Sequence, residues 1–385
     1  MVSAIGLNVS NSLENIKSNI SGIKEKELDR VGSCNIGTID ISNKELRKQY
    51  EIKGEYSRTA ILGVVAVKEA IKGINNRHKT NAIRTGLISG TSVGGMDYTE
   101  DIYFSFLNKK RYQKSKFKNH SSGTVTKQIA NEIGGFLYID TISTACSSAA
   151  NAILQGARLI QQGILDRVVV GGTDSLSQFT INGFKSLMIY DDEYCKPFDK
   201  NRKGLNLGEG AGYLILESKE TIEKTQNKPL VKLTGWCNAS DAFHQTASSP
   251  EGTGAIISME GALKMSGLDP NDVDYINAHG TATPNNDLSE SMAIKSVFGE
   301  DPPPFSSTKP YTGHTLAASG GIESTLSILA IEKGLLYPNL NFTLPIEETM
   351  LTPEINYNEG ISIKNVISNS FGFGGNNTSL IFSSL

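Results

Sequence analysis

The segments TACSSAA, at residues 144–150, and TGHTLAA, at residues 312–318, resemble each other. Each precedes a helical pattern of similar length that ends at a glycine. Identity between the two halves of the chain is otherwise low, so the spacing supports the comparison and indicates an ancient duplication. The boundary is expected near residue 225, which gives the halves 1–225 and 226–385.

Strand-like and helix-like segments alternate in both halves, and this alternation predicts an α/β architecture. Helical spacing occurs at residues 59–72 and 149–162. Strands are predicted at 82–89, at 136–142 as a buried strand, at 168–170 with a stop at Gly171 and Gly172, and at 275–278. Each half is expected to finish with a strand that enters a glycine pair, the second at residues 374–375.

The composition excludes several classes of protein. At 385 residues, 38% of them hydrophobic and 20% charged, the chain suits a sizeable folded core. Its net charge of −3 gives no global basic field for nucleic acid. The longest apolar stretch, residues 60–67, is too short to span a bilayer, and no signal peptide is visible, so we expect a cytoplasmic protein. Four scattered cysteines without a C-x-x-C pair argue against a zinc site or disulfide framework.

Three side chains at the ends of predicted elements are candidates for catalysis. Cys146 stands at a helix start, where unpaired N–H groups and the helix dipole favour a thiolate, although most free cysteines are simply buried. His279 stands at a predicted strand end, which in α/β sheets faces the ligand crevice. His314 begins the second helical pattern, five residues after Lys309. A thiol and two imidazoles at such positions suit nucleophilic and acid–base chemistry.

A serine hydrolase is the alternative from another enzyme class. The segment GTSVG at residues 90–94 matches the G-x-S-x-G pattern, with Ser92 as nucleophile. Asp174 or Asp241, followed by His279, has the chain order of a hydrolase triad. The pattern is short, and loops rich in glycine and serine often produce it.

The densest basic run contains Lys109, Lys110, Arg111 and Lys114. Neighbouring aromatic residues raise the possibility of single-stranded nucleic acid, but one short patch on an acidic chain is weak evidence. A solvated surface is the simplest interpretation. A docking surface for an acidic protein is a third interpretation, intermediate between a solvated surface and a nucleic-acid site.

The motifs occur together in the order found in one family. The chain closely resembles the elongating β-ketoacyl-acyl-carrier-protein synthases, with the synthase II branch nearest, over almost its whole length. The segments that carry the resemblance are TACSS at 144–148, KPFD at 196–199, GEGAG at 208–212, SDAFH at 240–244, HGTATP at 279–284, KPYTGH at 309–314 and NSFGFGG at 369–375.

The resemblance implies a thiolase fold, in which two related halves form a five-layered α-β-α-β-α sandwich, usually as a homodimer. A heterodimer with a related chain is also possible. It further implies a catalytic site of Cys146, His279 and His314. Synthases that initiate from coenzyme A typically have Asn at the second His, so His314 favours the elongating class. By the same analogy, Lys309 and Glu323 organise the site around His314.

The resemblance also assigns substrate contacts. The N–H groups of Cys146 and Phe373 form the oxyanion hole, and the Phe373 ring gates the acyl pocket. Thr281 and Thr283 match positions that contact the carrier's phosphopantetheine arm, and Thr246 is a weaker candidate. The basic run lies where the family presents positive charge to its acidic carrier protein.

The implied reaction is a decarboxylative Claisen condensation. Cys146 attacks an acyl-carrier thioester, and malonyl carrier then loses carbon dioxide. The enolate, held by His279 and His314, attacks the acyl-cysteine to give a β-ketoacyl carrier, in fatty acid or specialised polyene or polyketide synthesis. No metal or redox cofactor is required by this route. A non-elongating partner, such as a chain-length factor, typically lacks the cysteine, so Cys146 argues against that alternative.

The chain departs from the family pattern at several positions. The usual opening strand is largely missing before Gly6, so either the start is truncated or the strand has been lost, which would cost sheet pairing. Pro310 follows Lys309 in place of a small polar residue, and Asn376 replaces a common Thr after the last glycine pair. Residues 285–287, Asn-Asn-Asp, form an unusual version of their loop.

Overall fold

The computed structural model describes residues 1–74, 83–111 and 114–385. The first half forms seven strands and eight helices, in chain order β1 (Val2–Ser3), α1 (Val9–Lys17), β2 (Ile23–Leu28), β3 (Gly32–Gly37), α2 (Asn43–Gln49), α3 (Arg58–Lys72), β4 (Thr85–Gly90), α4 (Met96–Leu107), α5 (Ser122–Ile133), β5 (Tyr138–Ile142), α6 (Ser148–Gln161), β6 (Arg167–Asp174), α7 (Gln178–Ser186), β7 (Gly210–Glu217) and α8 (Lys219–Thr225), within the part of the chain described.

The second half continues with β8 (Lys232–Ser240), α9 (Thr253–Ser266), β9 (Tyr275–Asn277), α10 (Pro284–Phe298), β10 (Phe305–Ser306), α11 (Lys309–Thr312), α12 (Ser319–Lys333), β11 (Asn365–Gly372) and β12 (Asn376–Ser383). The helices expected at 59–72 and 149–162 are confirmed as α3 and α6. Helix α6 is followed by Gly163 and α12 by Gly334, and both glycines have φ near +65°.

Each half supplies one five-stranded sheet. The first has the order β1-β7-β6-β4-β5, and the second has the order β10-β9-β11-β12-β8. In the first sheet β4, β5 and β6 run parallel, with Leu87 facing Val169 on one side and Ile139 on the other. In the second sheet β9, β10 and β11 run parallel, while β12 and β8 complete it antiparallel.

The helices and sheets stack in five layers, which confirms the expected α-β-α-β-α sandwich. Helices α3 and α5 cover the outer face of the first sheet, and α9 with α10 covers the outer face of the second. Helices α6 and α12 pack between the sheets and against each other. Gly321 of α12 lies so close to Gly212 of β7 that a Cβ on Gly321 would collide with the Gly212 carbonyl. The central layer therefore presses directly on the backbone of the first sheet.

The glycine pair at 171–172 does not stop its strand, so that expectation is wrong. Strand β6 continues through both glycines to Asp174. A Cβ on Gly172 would lie 2.6 Å from the Ala317 carbonyl oxygen and 2.9 Å from the Ala149 Cβ. Glycine is required here because the first turn of α6 and the segment just before α12 approach the strand, not because the chain turns. The later pair at 374–375 does lie in the turn between β11 and β12.

Two strand expectations need correction. The segment 136–142 forms β5, but β5 is an edge strand and not a buried one: Leu137 is 73% exposed and Ile139 is 43% exposed. The opening strand is not lost, because Val2 and Ser3 pair antiparallel with Ala211 and Gly210. The strand expected at 82–89 begins at Thr85, and its first position lies outside the described residues.

A search of the described ranges finds no helix that is both long enough and apolar enough to cross a membrane.

Candidate active site

Cys146 lies in the turn between β5 and α6, two residues before the helix begins. The preceding residue, Ala145, has φ +53°, in the left-handed region that non-glycine residues rarely adopt. Gly313, which precedes His314, has φ +73° at the matching position of the second half. A residue with positive φ therefore comes directly before Cys146 in one turn and before His314 in the other. A non-glycine residue in this conformation, such as Ala145, is typical of functional sites.

Cys146 and His314 are in direct contact. The Sγ of Cys146 lies 2.9 Å from Nε2 of His314, and both side chains are buried. The other ring nitrogen, Nδ1, is 3.0 Å from the Ser319 hydroxyl at the start of α12. The His314 backbone is held on both sides, because its N–H donates to Asn206 and its carbonyl accepts from Gly208.

His279 follows β9, and its ring lies next to the contact between Cys146 and His314. Its ring stands edge-on to the His314 ring, with 5.5 Å between centroids. The carboxylate of Glu290, on α10, accepts the N–H groups of His279 and Gly280, each at 2.8 Å. Burial raises the pKa of Glu290 to about 7, although these N–H donors favour its charged form. The strand end that carries His279 is thus fixed by a buried carboxylate.

Lys309 forms a buried ion pair with Glu323, with Nζ 2.5 Å from Oε1. The same ammonium donates to the backbone carbonyl of His279 and lies 3.3 Å from its Nδ1. An ammonium group only donates hydrogen bonds, so Nδ1 of His279 acts as the acceptor. The ring proton of neutral His279 therefore resides on Nε2.

Burial sets the protonation of the trio. It raises the pKa of the Cys146 thiol to about 12, while the positive charge of Lys309 opposes this rise. The helix-start expectation of a thiolate is thus wrong for the resting protein, because desolvation outweighs the favourable donors. Burial and the charge of Lys309 lower the pKa of both His279 and His314 well below the usual value, so both rings are neutral near pH 7.

The turn between β11 and β12 closes over the cysteine. The backbone N–H of Phe373 donates a hydrogen bond to the Cys146 thiol. A Cβ on Gly372 would lie 2.8 Å from the Thr144 carbonyl oxygen and 3.3 Å from the Cys146 nitrogen, so only glycine permits this approach. The Phe373 ring stacks on Phe184 of α7, with 5.8 Å between centroids.

A cavity of about 260 Å³ opens onto the trio. Its apolar lining comes from Phe184, Met188, Ile189, Leu205, Phe371 and Phe373. Thr246, Thr281 and Thr283 also line it, and the hydroxyls of Thr281 and Thr283 lie 2.9 Å apart. The structure therefore brings together, around one cavity, every predicted catalytic or substrate-contacting residue except Lys309 and Glu323, which lie behind His279.

The basic residues are not part of this cavity. Lys109, Lys110 and Arg111 are exposed after the end of α4, and Lys114 is exposed at the start of a short 3-10 helix. Helix α4 contacts α7, which carries Phe184.

The hydrolase alternative is not supported by the geometry. The Ser92 hydroxyl donates to the Ala145 carbonyl, at 3.1 Å. The Asp174 carboxylate accepts the N–H groups of Ser92, Val93 and Ala317, so it braces loops and does not orient a histidine. Asp241 likewise accepts backbone N–H groups, from Phe243 and Ser249.

Cys146, His279 and His314 form a possible metal-ligand set, since one ligand atom of each lies within 4.8 Å of the others. The Lys309 ammonium, 3.3 Å from His279 Nδ1, would repel a cation at this point. The donor set therefore suits acid–base chemistry better than metal binding.

Sequence reasoning missed two residues that hold the site. Glu290 accepts the backbone N–H of His279, and the Ser319 hydroxyl contacts the ring of His314. A buried acid on a helix that follows a strand-end histidine is a signal that could have pointed to Glu290. The sequence suggested Asp174 only as a hydrolase acid, whereas the structure shows its carboxylate accepting the N–H of Ala317 near the start of α12.

Two family models match the chain. The N-terminal domain of beta-ketoacyl synthase matches residues 39–222, and the C-terminal domain matches residues 231–343. The 3-oxoacyl-[acyl-carrier-protein] synthase 2 of Staphylococcus aureus is 33% identical over 99% of this chain and 98% of its own length. The protein of the same name from Synechocystis is 36% identical over 82% of this chain and 78% of its own.

Solved structures agree with the sequence matches. A chain of the ketosynthase ApeO in complex with its chain length factor ApeC, from Xenorhabdus doucetiae, is 31% identical, with a TM-score of 0.84 over 100% of this chain and 96% of that chain. The AntDE:AntF complex, a type II PKS acyl-carrier protein with its ketosynthase, gives 25% identity and a TM-score of 0.89 over 100% of this chain and 97% of that chain. With both domains matched and the fold shared throughout, this chain belongs to the beta-ketoacyl synthase family.

Proposed function

We propose that the protein condenses a Cys146-bound acyl group with malonyl-acyl carrier protein, releasing carbon dioxide and giving a β-ketoacyl carrier. The observation that carries this proposal is the 2.9 Å contact between the Cys146 thiol and His314, with His279 beside it in one cavity. A nucleophile with an adjacent base and a second donor is what the two half-reactions require.

The first half-reaction transfers the acyl group. The Cys146 sulfur attacks the thioester carbon of the acyl carrier, and the thiol proton moves to Nε2 of neutral His314. The N–H groups of Cys146 and Phe373 stabilise the tetrahedral oxyanion. When the carbon–sulfur bond to the phosphopantetheine arm breaks, that leaving sulfur takes the proton, and His314 returns to its neutral form.

The second half-reaction uses both rings as donors. Malonyl carrier loses carbon dioxide, and the enolate oxygen accepts hydrogen bonds from Nε2 of His279 and Nε2 of His314. Lys309 keeps the His279 proton on Nε2 by donating to Nδ1. For His314, the ring proton is on Nδ1 in the first half-reaction, where the Ser319 hydroxyl accepts it. Before the second, the ring loses that proton to solvent and gains one on Nε2, and the Ser319 hydroxyl then donates to Nδ1. The enolate carbon then attacks the acyl-cysteine, the carbon–sulfur bond to Cys146 breaks, and the thiolate that leaves takes one proton from solvent, the proton that the overall condensation consumes.

The cavity supports the contacts assigned to the substrate. Thr281 and Thr283, with Thr246, would hydrogen-bond the amides of the phosphopantetheine arm, and the apolar lining would hold the acyl chain. The Phe373 ring, stacked on Phe184, would act as the gate.

No metal or redox cofactor takes part in these steps. The cytoplasmic location expected from the sequence stays a prediction.

The duplication of halves 1–225 and 226–385 is also a proposal. It is supported by the one sheet that each half supplies and by the matched left-handed residues before Cys146 and His314.

The test of the function is mass spectrometry of the intact protein after incubation with acyl-carrier thioesters of varied chain length. A mass increase of one acyl group, located on Cys146, is expected. Adding malonyl carrier should then discharge it as a β-ketoacyl product. Failure of every acyl length to load, in a folded protein, would reject the proposal, and the same outcome would favour a non-elongating partner.

We expect replacement of Lys109, Lys110 and Arg111 with glutamate to raise KM for carrier-bound substrates more than it lowers kcat. These exposed charges would attract an acidic carrier protein without touching the reacting atoms. The difference should shrink as salt is added, because exposed charges are screened. Steady-state kinetics at low and high ionic strength provide the measurement.

Glutamate at the exposed Lys44, Lys48 and Lys53 serves as the control, because it changes the net charge equally. An unchanged KM at low ionic strength in the first variant, or an equal increase in the control, would show that the basic run is only a solvated surface.

We propose that β5 assembles two copies of the chain edge to edge. Its outer edge has no paired strand among the described residues, and Ile139 exposes 43% of its surface there. An exposed apolar edge strand favours pairing with another chain.

The Ile139→Asp variant is expected to sediment as a monomer where the wild type sediments as a dimer, while Ile164→Asp, at another exposed isoleucine, stays dimeric. A wild type that dimerises only with a related chain would indicate a heterodimer.

A further inference from the structure

The Asn376 side chain connects the two backbone segments that carry the proposed oxyanion donors. Its Oδ1 accepts hydrogen bonds from the Ser147 hydroxyl at 2.7 Å, from Asn151 Nδ2 at 2.8 Å and from Asn238 Nδ2 at 2.9 Å. Ser147 follows Cys146 directly, and Asn376 follows the turn that contains Phe373. The Ser147–Asn376 bond therefore crosses from one donor segment to the other.

The surrounding groups fix the direction of the amide hydrogen bonds, whereas the single Ser147 hydroxyl hydrogen is shared between the Asn376 oxygen and the Thr144 carbonyl oxygen, at 2.7 and 2.8 Å. Asn151 donates its second N–H to the Thr144 hydroxyl and accepts from the Thr378 hydroxyl. Asn238 donates its second N–H to that same Thr378 hydroxyl. Asn151 and Asn238 both present N–H groups to the Asn376 side chain. The Asn376 oxygen must face them, since its own N–H groups could not accept, and the carboxamide therefore has one orientation.

The hydrogen bonds of Asn376 hold together the backbone segments that contain Cys146 and Phe373. No side chain fits between Gly372 and the cysteine turn, since a Cβ on Gly372 would lie 2.8 Å from the Thr144 carbonyl oxygen, so the two segments pack backbone against backbone. Backbone contact limits how near they come, but it does not stop them from sliding apart. Hydrogen bonds from Ser147 and Asn151 to one oxygen oppose that separation.

We propose that Asn376 is a positioning residue that sets the distance between the N–H donors of Cys146 and Phe373, acting through Ser147. Asn376 is not among the residues that line the cavity, and the effect rests on the proposed oxyanion hole. Acyl transfer, which develops an oxyanion, depends on that distance. Alkylation of the Cys146 sulfur by iodoacetamide develops no oxyanion. It depends on the thiol, on its base and on the Phe373 N–H that contacts the sulfur, but not on the distance between the two donors.

The test compares these two reactions in Asn376→Ala, Ser147→Ala and the double variant. Each single variant is expected to slow acyl transfer to Cys146 by about tenfold, less than the 10²–10³-fold typical of losing a whole oxyanion donor. Alkylation by iodoacetamide should stay within about twofold of wild type, since no oxyanion forms. The double variant should be no slower than Asn376→Ala alone, because Asn376→Ala already removes the bond to Ser147.

Asn356→Ala, at an exposed loop position, is the matched control and should leave both rates unchanged. An equal loss of acyl transfer and alkylation would show a general structural defect and overturn the inference. Unchanged acyl transfer in Asn376→Ala, or additive losses in the double variant, would also overturn it. Absence of acylation in the wild type would instead reject the proposed function. If Asn376→Ala does not fold, Ser147→Ala carries the comparison alone.

Discussion

Replacement of Cys146 with glutamine is expected to abolish condensation while the protein still releases carbon dioxide from malonyl carrier. Glutamine fills the position of the thiol next to His314, but its carboxamide cannot accept an acyl group. Decarboxylation needs the ring donors of His279 and His314, and neither depends on the sulfur. The measurements are product formation and carbon dioxide release from malonyl carrier, with circular dichroism to confirm folding.

Two further variants make this result decisive. Cys146→Ala should fail to load any acyl group, whereas Cys237→Ala, at a half-buried cysteine on β8, should load normally. Intact loading of Cys146→Ala would remove the nucleophile assignment. Loss of carbon dioxide release in a folded Cys146→Gln would show that the two half-reactions are not separable as we propose.

Replacement of either histidine with alanine is expected to lower decarboxylation by roughly the 10²–10³-fold typical of losing one oxyanion donor. Each ring supplies one N–H to the enolate, so neither compensates fully for the other. The measurement is carbon dioxide release from malonyl carrier. His120→Ala, at an exposed histidine outside the cavity, is the matched control and should release carbon dioxide normally.

The two variants should differ in the first half-reaction. His314 contacts the thiol at 2.9 Å and receives its proton, so His314→Ala should also slow acylation of Cys146. His279 has no such contact among the described hydrogen bonds, so His279→Ala should retain more acylation. Normal carbon dioxide release by both variants would reject the role of the histidines, even if Cys146 proved to be the nucleophile.

The sequence predicts the reactive trio because each member stands next to a strand end or helix start. Cys146, His279 and His314 could be located by reading the chain locally, and the order of their motifs indicated the family. The same local reading missed Glu290, and it identified Asn376 only as a departure from the family pattern. Their partners lie 11 and 229 positions away in the chain, and only the folded backbone brings them together.

The wrong expectations share a physical cause. The thiol pKa depends on total burial of Cys146, which no local pattern reports. Strand β5 has the composition of a buried strand, but its place at the sheet edge is set by strand order. Gly172 was expected to stop its strand, whereas it lies within β6 and permits the close approach of a distant segment. Local composition reports the kind of element, whereas exposure depends on its neighbours.

The contact between Gly212 and Gly321 has an evolutionary consequence. The nucleophile belongs to one half of the chain and both imidazoles to the other. A hybrid built by recombining halves from two relatives would therefore need one half that carries the cysteine and one that carries the two histidines. Such a hybrid would also need glycine on each side of this contact, since a methyl group on Gly321 meets the facing carbonyl. Exchange of halves between lineages is therefore restricted to donors that share the pair, and the two halves are constrained to diverge together.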